Sequence, residues 1–322
     1  MSLTGKLNEL IRTKGKIDVG YEVVDFRPPN TETTKYDTYM SKEVFAEFQK
    51  DMNPQYKKMY DKGNGSEMTE RRRAKKKYPP KMASFSSSSR LTYCLFKDIK
   101  NIGETRIFFD DGDTYEEVIF EGKLKIKAGG RPNIDAILIG KKSIVFIEVK
   151  CQEFYNSSKK VNILSTSYKK ELEKYSINNL KTVVNNQKKY IDLGTELKRF
   201  DLQQTVKHLL GINNFICKSK EDETYSIKYG DNKSKVYKDQ KVVFVNLFFN
   251  PETLEEGNDP SFKKDLEKLS KIYDKLIGEA ESNQVQDIIY KLKQKNGIIY
   301  KVLGHDELGI AMNGFYKHTS IS

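Results

Sequence analysis

The sequence predicts a mixed α/β fold, a central β-sheet of mixed strand direction flanked by helices. Two near-continuous apolar runs, at 133–140 and 144–152, flank a tight turn, as strands covered on both faces do. A third run, "KVVFVNLFFN" at 241–250, has the same character. Between these runs lie stretches with apolar residues at helical spacing, but not in a regular βαβα series, which favours a mixed sheet.

The elements follow in order. Leu3, Leu7, Leu10 and Ile11 fall on one side of a short helix. An extended piece is expected around 21–25, and a helix around 41–50. Residues 57–81 carry ten Lys or Arg against three acids, a surplus of seven, and include "RRRAKKKYPPK". Two readings fit that run. It is a solvated, partly disordered linker, or a basic arm lying along a phosphate backbone through Arg71, Arg72, Arg73, Lys75, Lys76 and Lys77. Residues 1–83 thus read as an N-terminal helical extension with a basic linker, and 84–322 as the main domain.

"SFSSSSRLTYCLF" then opens a helix with Leu91, Cys94, Leu95 and Ile99 as its apolar stripe. Ser87, Ser88 and Arg90 stand at its N-terminus, where a phosphate binds well; an ordinary N-cap explains the serines equally. Strands are expected at 105–109 and 116–127, and a long helix at 167–190. A helix at 196–212 is expected to close on Gly211 as its C-cap. Strand 241–250 ends at Pro251. A charged helix at 261–282 and a strand at 297–304 complete the chain.

Composition narrows the function. Hydrophobic residues are 37% and charged residues 32% of the chain, and no apolar stretch reaches the ~18 residues of a bilayer span. The N-terminus lacks a signal peptide's unbroken apolar core, so a cytoplasmic protein without a membrane partner is expected. Cys94, Cys151 and Cys217 form no CxxC pair, and His208, His305 and His318 have no metal-ligand spacing, so zinc and disulfide frameworks are not suggested. No GxGxxG or GxxxxGK[ST] loop occurs. The net charge of +12 draws polyanions.

The hairpin 133–154 holds charges where a sheet interior is expected. Along 144–152, Glu148 and Lys150 share a face with Ile144 and Phe146. If Gly140-Lys141 form the loop, Asp135 opposes Phe146; if Lys141-Lys142 do, it opposes Glu148. Both registers put Asp135 on that same face, and a three-residue loop sends it to the other. Glycine at 140 suits a tight hairpin because it tolerates positive φ. Two readings then stand open. The three charges form a buried ion cluster, or the carboxylates hold a hard divalent cation such as Mg²⁺, with Mn²⁺ as a substitute.

Asp135 followed by Glu148-Val149-Lys150 on the next strand resembles the signature of the PD-(D/E)xK nuclease superfamily. The wider pattern, "FSSSSRLTYCLF", "FEGKLKIKAGGRPNIDAIL", "VFIEVKCQEF" and "QQTVKHLLGI", is similar to a bacterial restriction-endonuclease-like branch and covers roughly residues 84–250. Ile134 stands where the signature has Pro, and Pro supplies no ligand. The resemblance implies a restriction endonuclease-like core with Mg²⁺ on Asp135, Glu148 and the Val149 carbonyl. Lys150 would position the attacking water. Glu121 is a candidate further carboxylate, set against an exposed strand charge, and Gln204 a candidate site residue, set against a surface role. His208 reads as a helix-flank residue. The implied function is a Mg²⁺-dependent DNA endonuclease of restriction, repair or mobile-element biology, in many members a homodimer. Competing readings are a non-catalytic nucleic-acid-binding protein that retains the fold, and an interaction protein kept soluble by its basic segment.

Overall fold

The computed structural model describes residues 9, 17–27, 30–63, 67–73, 76–99, 113–126, 131–151, 168–175, 202–222, 226–229, 232–235, 240–249, 284–304 and 308. In chain order its regular elements are β1 (Val19–Arg27), β2 (Asn30–Met40), α1 (Lys42–Asp51), α2 (Pro54–Asp61), β3 (Arg71–Arg73), β4 (Lys76–Tyr78), α3 (Ser88–Phe96), β5 (Tyr115–Lys123), β6 (Asn133–Gly140), β7 (Ser143–Lys150), α4 (Lys169–Glu173), α5 (Leu202–Glu221), β8 (Ser226–Tyr229), β9 (Asn232–Lys235), β10 (Lys241–Phe248), α6 (Gln284–Gln294) and β11 (Ile299–Gly304). The expected elements at 105–109 and 261–282, all of 3–11 but residue 9, most of 167–190, the 196–201 part of the expected helix 196–212, and Lys75 lie outside the described residues.

The main sheet has the order β11–β10–β7–β6–β5–β8–β9. Strands β5, β6 and β7 form an antiparallel meander, whereas β7, β10 and β11 run parallel. Five strands make the body, and the β8–β9 hairpin joins β5 through one pair, Lys123 with Lys228. Parallel neighbours need long crossovers, and the described residues place α5 between β7 and β10 and α6 between β10 and β11. On one face of the sheet, Phe120 of β5 packs against Tyr56 and Tyr60 of α2 and Tyr93 of α3, with ring centroids 5.0 to 5.9 Å apart. On the other face, Phe146 of β7 meets Phe215 of α5 at 5.8 Å. Helices thus cover both faces, which is why β6 and β7 are apolar throughout.

Helix starts follow local chemistry. Ser41, Asn53 and Ser87 cap α1, α2 and α3 by accepting the amides of Val44, Gln55 and Arg90, as short polar side chains do. Pro54 takes the first turn of α2, where its missing N–H costs nothing. The N-terminal region holds more strand than the sequence suggests: β1 and β2 form a long hairpin, and α2 was not expected. The basic run is not a structureless linker over its described part, because β3 and β4 pair antiparallel, Arg71 with Tyr78 and Arg73 with Lys76. Buried side chains of 17–83 merge with those of the sheet into one hydrophobic cluster.

Two glycines depart from expectation for one physical reason, close approach. Gly211 does not end a helix; it lies within α5, where an added Cβ would come 2.8 Å from the Cβ of Leu124. Gly140 is not among the residues with positive φ. Its Cβ would instead fall 2.4 Å from the Asp113 carboxylate. That carboxylate is buried, and it accepts the Ser143 hydroxyl at 2.6 Å and the Lys142 amide at 3.1 Å. Gly140→Ala must displace this bond set, so we expect a loss of ~1–3 kcal/mol, read as a lower midpoint in urea unfolding. An unchanged midpoint would contradict the role assigned to Asp113.

Candidate active site

The turn between β6 and β7 is Lys141-Lys142, and the pairs Ile139–Ile144, Leu138–Val145, Ile137–Phe146 and Ala136–Ile147 set the register. Continued by one step, this register opposes Asp135 to Glu148. At that point the side chain takes over from the backbone, since the Val149 amide donates to Asp135 Oδ2 at 2.8 Å. On the other side of β6, the pairs Phe120–Ala136 and Gly122–Ile134 bracket Glu121 opposite Asp135. On the other side of β7, Asn246 of β10 is in register with Glu148. Glu121, Asp135, Glu148 and Asn246 therefore form a polar row across four adjacent strands.

Glu148 is 3% exposed and is held by a bridged triangle. Its Oε1 accepts Lys150 Nζ at 2.5 Å and Gln204 Nε2 at 2.6 Å. Gln204 Oε1 in turn accepts Lys150 Nζ at 2.8 Å. The first turn of α5 supplies Gln204, and one turn later the same helix supplies His208, 3.6 Å from Glu148 Oε2 through Nδ1. This is the i, i+4 spacing that puts two side chains on one helix face. Burial and the Lys150 ammonium push His208 down to about 3, so it is neutral near pH 7 and forms no ion pair with Glu148 there. It also hydrogen-bonds the Asn133 backbone. The expectation of a helix-flank role for His208 is thereby corrected: it is buried beside the carboxylate.

Glu121 departs further from an exposed strand charge. It is 7% exposed and has φ of 53°, a left-handed conformation that costs a non-glycine residue roughly 1–2 kcal/mol. Such strain collects where function over-determines the backbone. Its Oε2 accepts Asn133 Nδ2 at 2.8 Å. Burial first, then the charges of Asp135 and Glu67, push its carboxyl up to about 8. Glu67 is a site neighbour hidden within the basic segment. It is 4% exposed, and it accepts Lys81 Nζ at 2.7 Å and the Ser89 hydroxyl at 2.9 Å. Asn246 donates to the Tyr300 hydroxyl at 2.6 Å and contacts Thr205 Oγ1 at 3.4 Å. Its sequence signal was a lone polar residue within an apolar run, the same signal that marked Asp135.

Of the nucleic-acid contacts expected from sequence, Arg71, Arg72, Arg73, Lys76 and Lys77 lie on the β3–β4 hairpin. Arg90 is a correction. It is 1% exposed, its Nη2 donates to the Phe85 carbonyl at 3.1 Å, and its guanidinium lies over the Phe85 ring. A side chain so covered does not reach a backbone phosphate, and Ser87 serves as the plain N-cap.

Among the described residues, no three His, Cys, Asp or Glu side chains form a ready metal cage. Mg²⁺ commonly takes only one or two protein carboxylates and completes its shell with water and phosphate oxygen. The donor chemistry fits such an ion: carboxylates and carbonyls without thiolate, crowded enough that Glu121 is driven towards protonation. Comparison with family models, curated proteins and solved structures gives no match.

The raised Glu121 carboxyl has a definite stability consequence. Its folded form holds a proton more tightly than its unfolded form, so stability is full below about pH 4.5 and declines as pH rises towards about 8. Glu121→Gln removes this loss. Measured by urea unfolding in EDTA, the variant should gain on the wild type by more than about 1 kcal/mol between pH 5 and pH 8.5. A constant difference across that range would mean that Glu121 is not held protonated.

Proposed function

We propose that the protein is a Mg²⁺-dependent DNA endonuclease of the PD-(D/E)xK type, with a restriction endonuclease-like core. What supports this most is the bridged triangle of Glu148, Lys150 and Gln204 set opposite Asp135 at one end of a buried hairpin. In this reading Asp135, Glu148 and the Val149 carbonyl hold the cation. When bound, the ion supplies Lewis acidity towards water and the phosphodiester.

The chain's own residues do the rest. Glu148 and Gln204 hold the Lys150 ammonium at a fixed point near the row, where it orients the attacking water and offsets charge growing on the phosphate. The oxygen of water bonds to phosphorus and gives up one proton to solvent, the bond from phosphorus to the leaving oxygen breaks, and that oxygen takes a proton from solvent. His208, neutral and buried, lies beside Glu148 Oε2 and adds no positive charge there. Glu121 is a further oxygen donor beside Asp135.

A second reading has its own observation. Lys150 already neutralises Glu148 at 2.5 Å, as a closed ion cluster in a non-catalytic nucleic-acid-binding protein would. Cleavage separates the two. Supercoiled plasmid, linear duplex, single-stranded DNA and RNA are incubated with Mg²⁺, Mn²⁺ or EDTA. We expect metal-dependent nicking of DNA that falls at least ~10²-fold in Asp135→Asn, Glu148→Gln and Lys150→Met. Activity that survives in all three, or binding without any cleavage by the wild type, would reject the nuclease assignment.

Gln204 makes a graded prediction. It touches Glu148 and Lys150 but is not required as a ligand, so Gln204→Met should lower kcat by roughly 10-fold while leaving metal dependence intact. An unchanged kcat would make the bridge a packing feature.

A further inference from the structure

The basic run 71–78 is an ordered hairpin, and its surroundings tie it to the acidic row. At its base, the Glu67 carboxylate binds Lys81 and Ser89, and the Met82 amide donates to the Glu67 carbonyl at 3.0 Å. Gln49 of α1 holds the Met68 carbonyl at 2.7 Å. These bonds pin both ends of the hairpin to α1 and α3. The same chain approaches the row directly, since a Cβ on Gly63 would stand 3.3 Å from Glu121 Cγ. The hairpin is also seated on aromatic rings. Tyr36 of β2 donates to the Lys77 carbonyl at 2.9 Å and packs against Tyr78 and Tyr39, and the Arg71 guanidinium lies over Tyr78 at 5.6 Å.

Three cations of this hairpin stand apart from the acids around it. Nearby cations do find acids: Lys42 pairs with Glu70 at 3.5 Å and Lys81 with Glu67 at 2.7 Å. Arg71, Arg72 and Lys76 make no ion pair among the described residues, and Arg72 and Lys76 are exposed. Arg71, Arg72 and Lys76 on an ordered hairpin, whose base at Glu67 neighbours Glu121, suit a polyanion led from the hairpin to the row.

We propose that the β3–β4 hairpin is a pre-ordered clamp for the phosphodiester backbone of DNA, latched by Glu67, Lys81 and Ser89 beside the carboxylate row so that a held strand leads towards Asp135 and Glu148. This deepens the nuclease reading and rests on it for the direction of the strand, but not for the binding itself. Arg71 is four residues from Glu67, at most ~14 Å of extended chain. At 3.4 Å per nucleotide along one strand, that is a reach of about four phosphates. Arginine forks suit phosphate oxygens, and arginine held over an aromatic ring loses less freedom on binding.

The test uses the full-length chain in EDTA, where binding is read without cleavage, with a fluorescein-labelled 30-base-pair duplex and a 30-nucleotide single strand from 50 to 200 mM KCl. Arg72→Gln and Lys76→Gln alter exposed positions. Each should lower the slope of log affinity against log salt by about one contact. Together with Arg71→Gln they should weaken binding at least 10-fold at 100 mM KCl, whereas Arg71→Lys with Arg72→Lys stays within about 3-fold of the wild type. Glu67→Gln, which loosens the latch, should weaken binding in EDTA and, in a separate cleavage assay with Mg²⁺, raise KM more than it lowers kcat. Unchanged affinity and slope in the Gln variants, or no DNA binding by the wild type, overturns the clamp. Hairpin-dependent binding with no metal-dependent cleavage keeps the clamp and rejects the nuclease reading; cleavage with hairpin-independent binding does the reverse.

Discussion

Asp113 lies far from the carboxylate row, yet the row depends on it. Its buried carboxylate accepts the Lys142 amide and the Ser143 hydroxyl, and Gly140 alone leaves room for it. These bonds stabilise a two-residue turn at Lys141-Lys142, and that turn sets the β6–β7 register. About 17 Å further along the strand, the register sets Asp135 opposite Glu148. A slip of one residue would turn one of them to the opposite face. The turn is secured from a third strand as well, because Lys241 at the start of β10 donates its amide to the Lys142 carbonyl at 2.9 Å.

Buried charge costs several kcal/mol per ion when nothing compensates it, and each carboxylate of the row is compensated differently. Glu148 has a lysine and a glutamine on one oxygen. Asp135 takes a backbone amide where the ladder ends. Glu121 has Asn133 and, across much of the pH range, its own proton. Tyr60, buried between α2 and α3, is held neutral by burial and by the same negative charges. The sheet end thus gathers three compensated carboxylates, with a fourth, Glu67, close enough to push the Glu121 carboxyl up.

Local pattern carried a good share of this into the sequence. Side-chain parity along 144–152 placed Glu148 and Lys150 on one face, and a two-residue loop placed Asp135 with them; both follow from the strand's period of two. The cap at Ser87 was legible because a cap involves only a few neighbouring residues. Strand β2 and helix α2 were not legible, because "TETTKYDTYM" lacks apolar alternation and "PQYKKMYD" is short. Their stability comes from what they pack against. Gly140 and Gly211 were recognised as special for the wrong reason: conformational freedom is a local property, whereas crowding by Asp113 or Leu124 is not.

The sequence by itself determined that three charges interrupt a buried hairpin, that they share a face for any two-residue loop, and that a dense basic run lies upstream. Only the tertiary structure decided which loop is used, since Asp113 is remote from the turn in the chain. It decided that Gln204 and His208, more than fifty residues beyond Glu148, close over that carboxylate, while Arg90 is buried away from any phosphate. It also decided that the described part of the basic run is an antiparallel hairpin, with Glu67 just upstream bound to Lys81. The division has one physical cause. Periodicity and capping arise between near neighbours, and a residue's burial and charge environment arise from segments that meet only when the chain packs.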